Sequence, residues 1–118
     1  MTESTGETTL NLQITTTDAA LLKDLMEGAG DDEGASVAIG DGGSLTLTRH
    51  RRSRAWGQPE VINFALHIGT TIVVPIIASW ISEKLKDRKA KLKLNDQTVT
   101  SLTQQSLEFL IKQMTGMK

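Results

Sequence analysis

The stretch VINFALHIGTTIVVPIIASWI, from Val61 to Ile81, is largely apolar and contains no Asp, Glu, Lys or Arg. Basic residues precede it at positions 49–54, and a run of mixed charge follows it at positions 83–89. Strands are usually only ~3–10 residues long, so the length of this stretch favours a helix. We therefore predict one long central helix with Pro59 in its first turn, where the N–H that proline lacks would be unpaired anyway.

The polar residues of this predicted helix fall on one face when its residues are placed at about 100° intervals. That face consists of Asn63, His67, Thr70 and Thr71, with Phe64, Ala65, Ile68, Ile72 and Ile76 roughly opposite. Two features act against a smooth helix. Pro75 removes a backbone hydrogen bond and should kink it, and the β-branched residues at 72–74 would also suit a buried strand.

A helix that is apolar nearly all round belongs either in a protein core or in lipid. The part without strongly polar side chains, residues 68–81, is short for a bilayer crossing, which takes about 20 residues. The amphipathic segments around it also need a surface to cover. We expect a buried core helix in a cytoplasmic protein, and the alternative is that residues 61–81 insert into the inner membrane.

The remaining segments predict an α+β chain of 118 residues in the order β-α-β-β-α-β-α, with a small sheet packed on the long central helix. Alternating apolar residues indicate strands at 10–14, 37–39, 45–47 and 91–94, with a short return strand at Thr98 and Val99 as an option. Helices are predicted up to Met26 and, capped by Ser101 or Thr103, near the C-terminal end. Residues 1–8 are expected to be a flexible N-terminus, and residues 9–118 a single domain.

Charge is distributed unevenly along the chain. Residues 1–48 are strongly acidic and residues 49–118 strongly basic, although the formal net charge is only −1. We interpret this separation as two solvated faces of opposite sign, and the alternatives are that the charges pair inside the fold or by stacking one copy on another. Cysteine is absent, which fits a cytoplasmic location, and the first thirty residues have no secretory-signal pattern.

Three kinds of binding partner are compatible with the basic segment before the apolar stretch. Arg51, Arg52 and Arg54, with Trp56 nearby, are suited to holding phosphates and stacking on a base. They are equally suited to an anionic lipid surface or to a protein partner. The acidic first half of the chain disfavours nucleic acid, so we interpret the segment as an exposed loop or a patch that contacts a partner.

The sequence contains no pattern typical of catalysis or metal binding. His50 and His67 lack the spacing of metal ligands, and no cysteine is present to complete a site. The serines do not form a nucleophile elbow. The acidic loop at 31–33 lacks the alternating ligands of a calcium loop. We expect no catalytic residue, no cofactor and no metal, and therefore no enzyme.

One combination of segments follows a recognisable pattern. A glycine-bearing helix with a tryptophan near its end is followed by basic residues, an alternating strand and a turn. These segments are Gly69-Thr70-Thr71, Ala78-Ser79-Trp80-Ile81, Lys84-Leu85-Lys86-Asp87-Arg88 and Lys91-Leu92-Lys93-Leu94-Asn95-Asp96. The combination resembles the effector-associated constant components of bacterial conflict systems. This resemblance implies a small adaptor module that accompanies effector proteins in antiviral defence.

The sequence thus leads to three hypotheses. The first is an adaptor that binds an effector protein, or a second copy, through Asn63, His67, Thr70 and Thr71, with the charged flanks and Trp80 contributing. The second is a small membrane protein, either a membrane-acting effector or its regulator, that inserts residues 61–81. The third is a nucleic-acid accessory protein that uses the arginines at 49–54.

Overall fold

The structure, a computed structural model, describes residues 8–18, 20–27, 29–30, 32–51, 58–86, 88 and 90–116. Its centre is a six-stranded sheet in the order β2-β3-β4-β1-β5-β6. Every neighbouring pair of strands is antiparallel. The strands are β1 Thr8–Thr16, β2 Ser36–Ile39, β3 Gly43–Arg51, β4 Glu60–Ile68, β5 Ala90–Leu94 and β6 Gln97–Val99.

Three α-helices accompany the sheet, and a short 3-10 turn, Thr71–Val73, leads into the second of them. The helices are α1 Leu21–Met26, α2 Val74–Leu85 and α3 Gln104–Thr115. The predicted α+β class is confirmed. The described order, β-α-β-β-β-α-β-β-α, contains two strands more than the predicted order.

The prediction of a single long helix from Val61 to Ile81 is wrong. The first part of that segment is strand β4, and only the second part is helical, in α2. Burial along β4 alternates strictly, because Ile62, Phe64, Leu66 and Ile68 are buried while the residues between them are only half-buried. This period of two is the pattern of a strand with one covered face, and the length of the uncharged stretch obscured it.

The segment changes direction at Gly69, immediately after β4. The Gly69 N–H donates to the carbonyl oxygen of Gly42 at 2.7 Å, which joins the end of β4 to the turn between β2 and β3. The 3-10 turn follows, and Pro75 then lies in the first turn of α2. Proline is well tolerated there, so the predicted kink does not arise. The β-branched residues at 72–74 lead into this helix and do not form a strand.

All three helices pack on the same face of the sheet. Their buried residues and the inward residues of the strands form one hydrophobic cluster, which includes Leu21, Ile77, Leu107 and Phe64. The other face of the sheet, called the open face below, contributes no buried residue to that cluster. An antiparallel sheet with one covered face and one solvated face is a common arrangement.

Several local predictions are confirmed. The hairpin of β2 and β3 forms around the glycine-rich turn, and β5 and β6 form a second hairpin. Asn95 and Asp96 connect β5 to β6 with φ of 49° and 67°, the left-handed pair that a two-residue hairpin turn requires. The Thr103 side chain caps α3. Thr8 belongs to β1, while the rest of the predicted flexible N-terminus lies outside the described residues.

Ion pairs connect the acidic and basic halves of the chain. Arg88, which follows α2, pairs with Asp18 and Asp24, and Lys84 pairs with Glu27. In each pair the acid comes from the first half of the sequence and the base from the second half. Part of the charge separation is therefore satisfied inside the fold.

Candidate functional site

The residues predicted to form one binding seam are distributed over different parts of the molecule. Asn63 and His67 are half-buried on the open face of β4, while Thr70 and Thr71 are exposed in the connection to α2. Trp80 belongs to α2 in the helical layer. The predicted common helix face does not exist, because its first two members lie in a strand.

The basic segment is only partly described. Arg51 is exposed at the end of β3. Its predicted companions Arg52, Arg54 and Trp56 lie outside the described residues, so their proposed role as a partner-binding patch stays a prediction.

Asn63 and His67 lie in cross-strand rows of polar side chains. Asn63 is opposite Arg49 on one side and Gln13 on the other. His67 is opposite Thr9, and the hydroxyl of Thr9 lies 3.5 Å from Nδ1 of its ring. These contacts resemble the packing of a solvated sheet face.

Trp80 is held by side chains that connect α2 to the C-terminal end of α1. Its indole Nε1 donates a hydrogen bond to Oε2 of Glu27 at 3.3 Å. Nζ of Lys84 lies 3.0 Å from the same carboxylate oxygen and 5.7 Å from the centre of the indole ring. The hydrogen bonds from Lys84 and Trp80 lower the pKa of Glu27. These contacts hold the indole towards the C-terminal end of α1.

An exposed apolar surface extends over the start of α2 beside Trp80. Ile72 is 81% exposed and Ile76 is 46% exposed, although the sequence suggested that both would face the core. A shallow groove of about 430 Å³ is lined by Pro75, Ile76, Ser79, Trp80 and, from α3, Gln104. We call Ile72, Pro75, Ile76 and Trp80 the α2 patch.

The fold creates this patch by turning the chain at Gly69. Ile76 contacts the turn between β2 and β3, since a Cβ added to Gly40 would lie 2.9 Å from its Cγ2. Val73, Val74 and Ile77 are buried in the core, so they occupy the face of the segment that packs on the sheet. Ile72 and Ile76 therefore remain outside, and sequence periodicity alone did not separate them from their buried neighbours.

A second cleft, of about 470 Å³, lies at the end of the sheet where β1 ends and β5 begins. It is lined by Thr15, Thr16, Thr17, Pro59, Arg88, Ala90 and Lys91. The guanidinium of Arg88 is already neutralised by its two aspartates, which raise its pKa further. The cleft is therefore a weaker candidate for an anion site than its two bases suggest.

Comparison of the chain with protein-family models, with characterised proteins and with solved structures found no match. Any functional conclusion therefore depends on the residues themselves.

One polar pair was not anticipated from the sequence. Nε2 of His50 lies 2.6 Å from Oε1 of Glu60, and the His50 side chain is only 9% exposed. The register of β3 against β4 shifts between Leu47 and Arg49, and His50 is then opposite the buried Ile62. This irregularity directs the His50 side chain to the covered face, where Glu60 provides a polar partner for the imidazole.

Neither a metal cluster nor a membrane-spanning helix is found in the described part of the chain. Within those ranges no three His, Asp or Glu side chains come together as metal ligands would. None of the described helices has the length and apolar content that a bilayer crossing requires. The membrane hypothesis also assumed that residues 61–81 form one helix, and they do not.

Proposed function

We propose that this chain is a non-enzymatic adaptor whose α2 patch binds a partner protein. The observation that carries the proposal is the exposure of two isoleucines, Ile72 at 81% and Ile76 at 46%, one helical turn apart. Contiguous apolar side chains that remain exposed on a folded domain commonly mark an interaction site. A partner that covers them gains hydrophobic stabilisation from surface that folding leaves in water.

The groove beside these isoleucines supports the same role. It is open at the surface, where an apolar side chain of a partner would have access to it. Trp80 forms one wall and is already oriented by Glu27 and Lys84. A side chain that is fixed in advance loses little conformational entropy on binding, and tryptophan is enriched among residues that dominate interface energies.

The biological setting is proposed from the resemblance to effector-associated constant components. Of the segments that carry it, Ala78–Ile81 lies in α2, with Trp80 near the middle of that helix, and residues 91–96 form β5 and the turn to β6. Gly69 precedes the helix, so the glycine-bearing helix of the resemblance is not present. The partner would then be an effector protein of a bacterial defence system. The absence of cysteine supports a cytoplasmic location.

The test compares two variants that each remove exposed apolar surface. Ile72→Ser/Ile76→Ser removes the two exposed isoleucines of the α2 patch, while Phe109→Ser removes a side chain that is 68% exposed on α3. Proteins captured from the native host by the wild type are identified, purified and titrated calorimetrically. We expect the isoleucine variant to lose about tenfold or more in affinity and the Phe109 variant to bind like the wild type. Circular dichroism checks that both variants fold.

Light scattering at low and high salt distinguishes an effector from a second copy. A wild-type dimer that the isoleucine variant abolishes would make the partner another copy of this chain. A monomer at both salt concentrations, with no partner captured, would count against an adaptor. Equal affinity of wild type and isoleucine variant would remove the α2 patch as the docking site.

A further inference from the structure

The open face of the sheet carries positive charge at one end. Arg49 and Arg51 project from β3, and Lys91 and Lys93 project from β5, all four exposed. Two strands, β4 and β1, lie between them. We call these four residues the basic corner of the open face.

Strand register places the four cations in two adjacent rows. One row runs Arg49, Asn63, Gln13, Lys93, and the next runs Arg51, Val61, Thr15, Lys91. Within a strand, residues two apart are separated by about 6.6–6.8 Å, and three strand spacings come to about 14 Å. The basic corner is therefore a rectangle of roughly 7 by 14 Å with side chains of Asn63, Gln13, Val61 and Thr15 as its floor.

Nothing on the described open face neutralises these charges. Its strand residues include no Asp or Glu. None of the four cations forms an ion pair with a described residue. In the helical layer, by contrast, Lys84 and Arg88 are both paired with acids. The basic corner is thus a surface whose charge is available to a ligand.

The floor of this surface distinguishes between two polyanionic ligands. Proteins that bind single-stranded nucleic acid stack its bases on aromatic side chains. The described residues of the open face include no Phe, Tyr or Trp. An acidic protein segment needs no stacking platform, because carboxylates pair with Arg and Lys and its backbone can bond to amide and hydroxyl groups such as those of Asn63, Gln13 and Thr15.

We infer that the basic corner binds an acidic, extended segment of a partner protein. An extended chain places alternate side chains on one side at the spacing that separates Arg49 from Arg51 and Lys91 from Lys93. Carboxylates at alternate positions therefore meet successive cations along one strand. The arginines provide bidentate hydrogen bonds to carboxylates, which a lysine ammonium does not.

This inference deepens the proposed adaptor function, since it gives the module a second protein-binding surface. The α2 patch belongs to the helical layer and the basic corner to the opposite side of the sheet. Different residues carry the two proposals, and variants at one surface leave the other intact. One partner could bind both surfaces, with an apolar side chain on the α2 patch and an acidic tail on the basic corner. Two different partners could also bind one surface each.

The experiment measures fluorescence anisotropy of a labelled peptide of alternating Glu and Thr, with a peptide of alternating Gln and Thr as the neutral comparison. Lys91→Gln/Lys93→Gln removes two charges from the basic corner. Lys23→Gln/Lys86→Gln removes two exposed charges from the helical layer and is the matched control. We expect the first variant to weaken binding of the acidic peptide roughly fivefold or more, and the control to leave it unchanged.

Arg49→Gln/Arg51→Gln should reduce the affinity for the acidic peptide as the lysine variant does. High salt should reduce the affinity of the wild type for this peptide. Absence of binding at low salt would overturn the inference, as would equal losses in the basic-corner and control variants. Tighter binding of a single-stranded or duplex oligonucleotide than of the acidic peptide would also overturn it and assign the surface to nucleic acid. None of these results bears on Ile72 and Ile76, so the adaptor proposal is tested separately.

Discussion

Gly69 and Gly42 meet backbone to backbone: the Gly69 N–H donates to the Gly42 carbonyl oxygen at 2.7 Å, and a Cβ on Gly69 would lie 2.7 Å from that same oxygen. This contact connects the end of β4 to the turn between β2 and β3. It leaves no room for a side chain, and it marks the point at which the uncharged stretch changes from strand to helix.

Gly69→Ala should therefore destabilise the fold. The new methyl group meets backbone, which cannot move aside as a flexible side chain can, so we expect a loss of about 1–3 kcal/mol in the free energy of unfolding. Urea denaturation measures it. Thr70→Ala, at the exposed next position, is the control and should change stability by less than about 0.5 kcal/mol. Equally small losses in the free energy of unfolding for the two variants would contradict the close backbone contact between Gly69 and Gly42.

The pair formed by His50 and Glu60 should contribute to stability. Glu60→Ala leaves an imidazole that is 9% exposed without its partner, which should cost about 1–3 kcal/mol. A double-mutant cycle with His50→Ala separates the interaction from the effects of truncation, and contacting pairs typically couple by about 0.5–3 kcal/mol. Additive losses in the double variant would show that the two side chains do not interact.

Glu27 should make stability depend on pH in the acid range. Hydrogen bonds from Lys84 and Trp80 hold its folded pKa below the usual 4.5. As the pH falls, the unfolded chain therefore takes up the proton first. The contribution of Glu27 is complete above 4.5 and disappears as the pH falls through the lowered folded value.

Glu27→Gln tests this dependence. Because the Glu27 side chain is 45% exposed, solvent screening should limit the loss to about 1 kcal/mol or less near neutral pH. The difference from the wild type should shrink towards zero as acid protonates Glu27. Glu83→Gln, an exposed position in the same helix as Lys84, is the control. A difference that stays constant from neutral to acid pH would contradict the assignment.

Thr103 should stabilise α3 through its side chain. Its hydroxyl oxygen accepts a hydrogen bond from the Ser106 N–H at 3.3 Å. Thr103→Ala removes this cap and should cost about 1 kcal/mol, measured by thermal or urea unfolding. Thr103→Ser retains the acceptor and should stay close to the wild type. A serine variant as unstable as the alanine variant would mean that the methyl group, and not the cap, matters.

Local signals in the sequence were sufficient for the elements in which pattern and turn chemistry agree. Alternation of Leu10, Leu12 and Ile14 predicted β1, and the glycine-rich turn predicted the hairpin of β2 and β3. Thr103 was one of two residues expected to cap the last helix. Each of these features depends on neighbours in sequence, so no knowledge of the tertiary fold was needed.

The same reasoning failed for residues 61–81, because two patterns follow one another without a charged residue between them. Period-two alternation ends at Ile68, and a helix begins a few residues later. Because strands are usually only ~3–10 residues long, the strand and the helix were predicted together as one long helix. Gly69 lies at the boundary, but its contact is with Gly42, which is distant in the sequence.

The sequence by itself determined the α+β class, the hairpins and the charge imbalance, since these follow from local periodicity and composition. Only the tertiary structure decided which surfaces are free. Arg49 and Lys93 share a row because β4 and β1 lie between their strands, and Ile72 is exposed because the turn after Gly69 directs its neighbours inward. Such relationships join residues distant in the chain, and strand register and packing create them only when the whole sheet has formed.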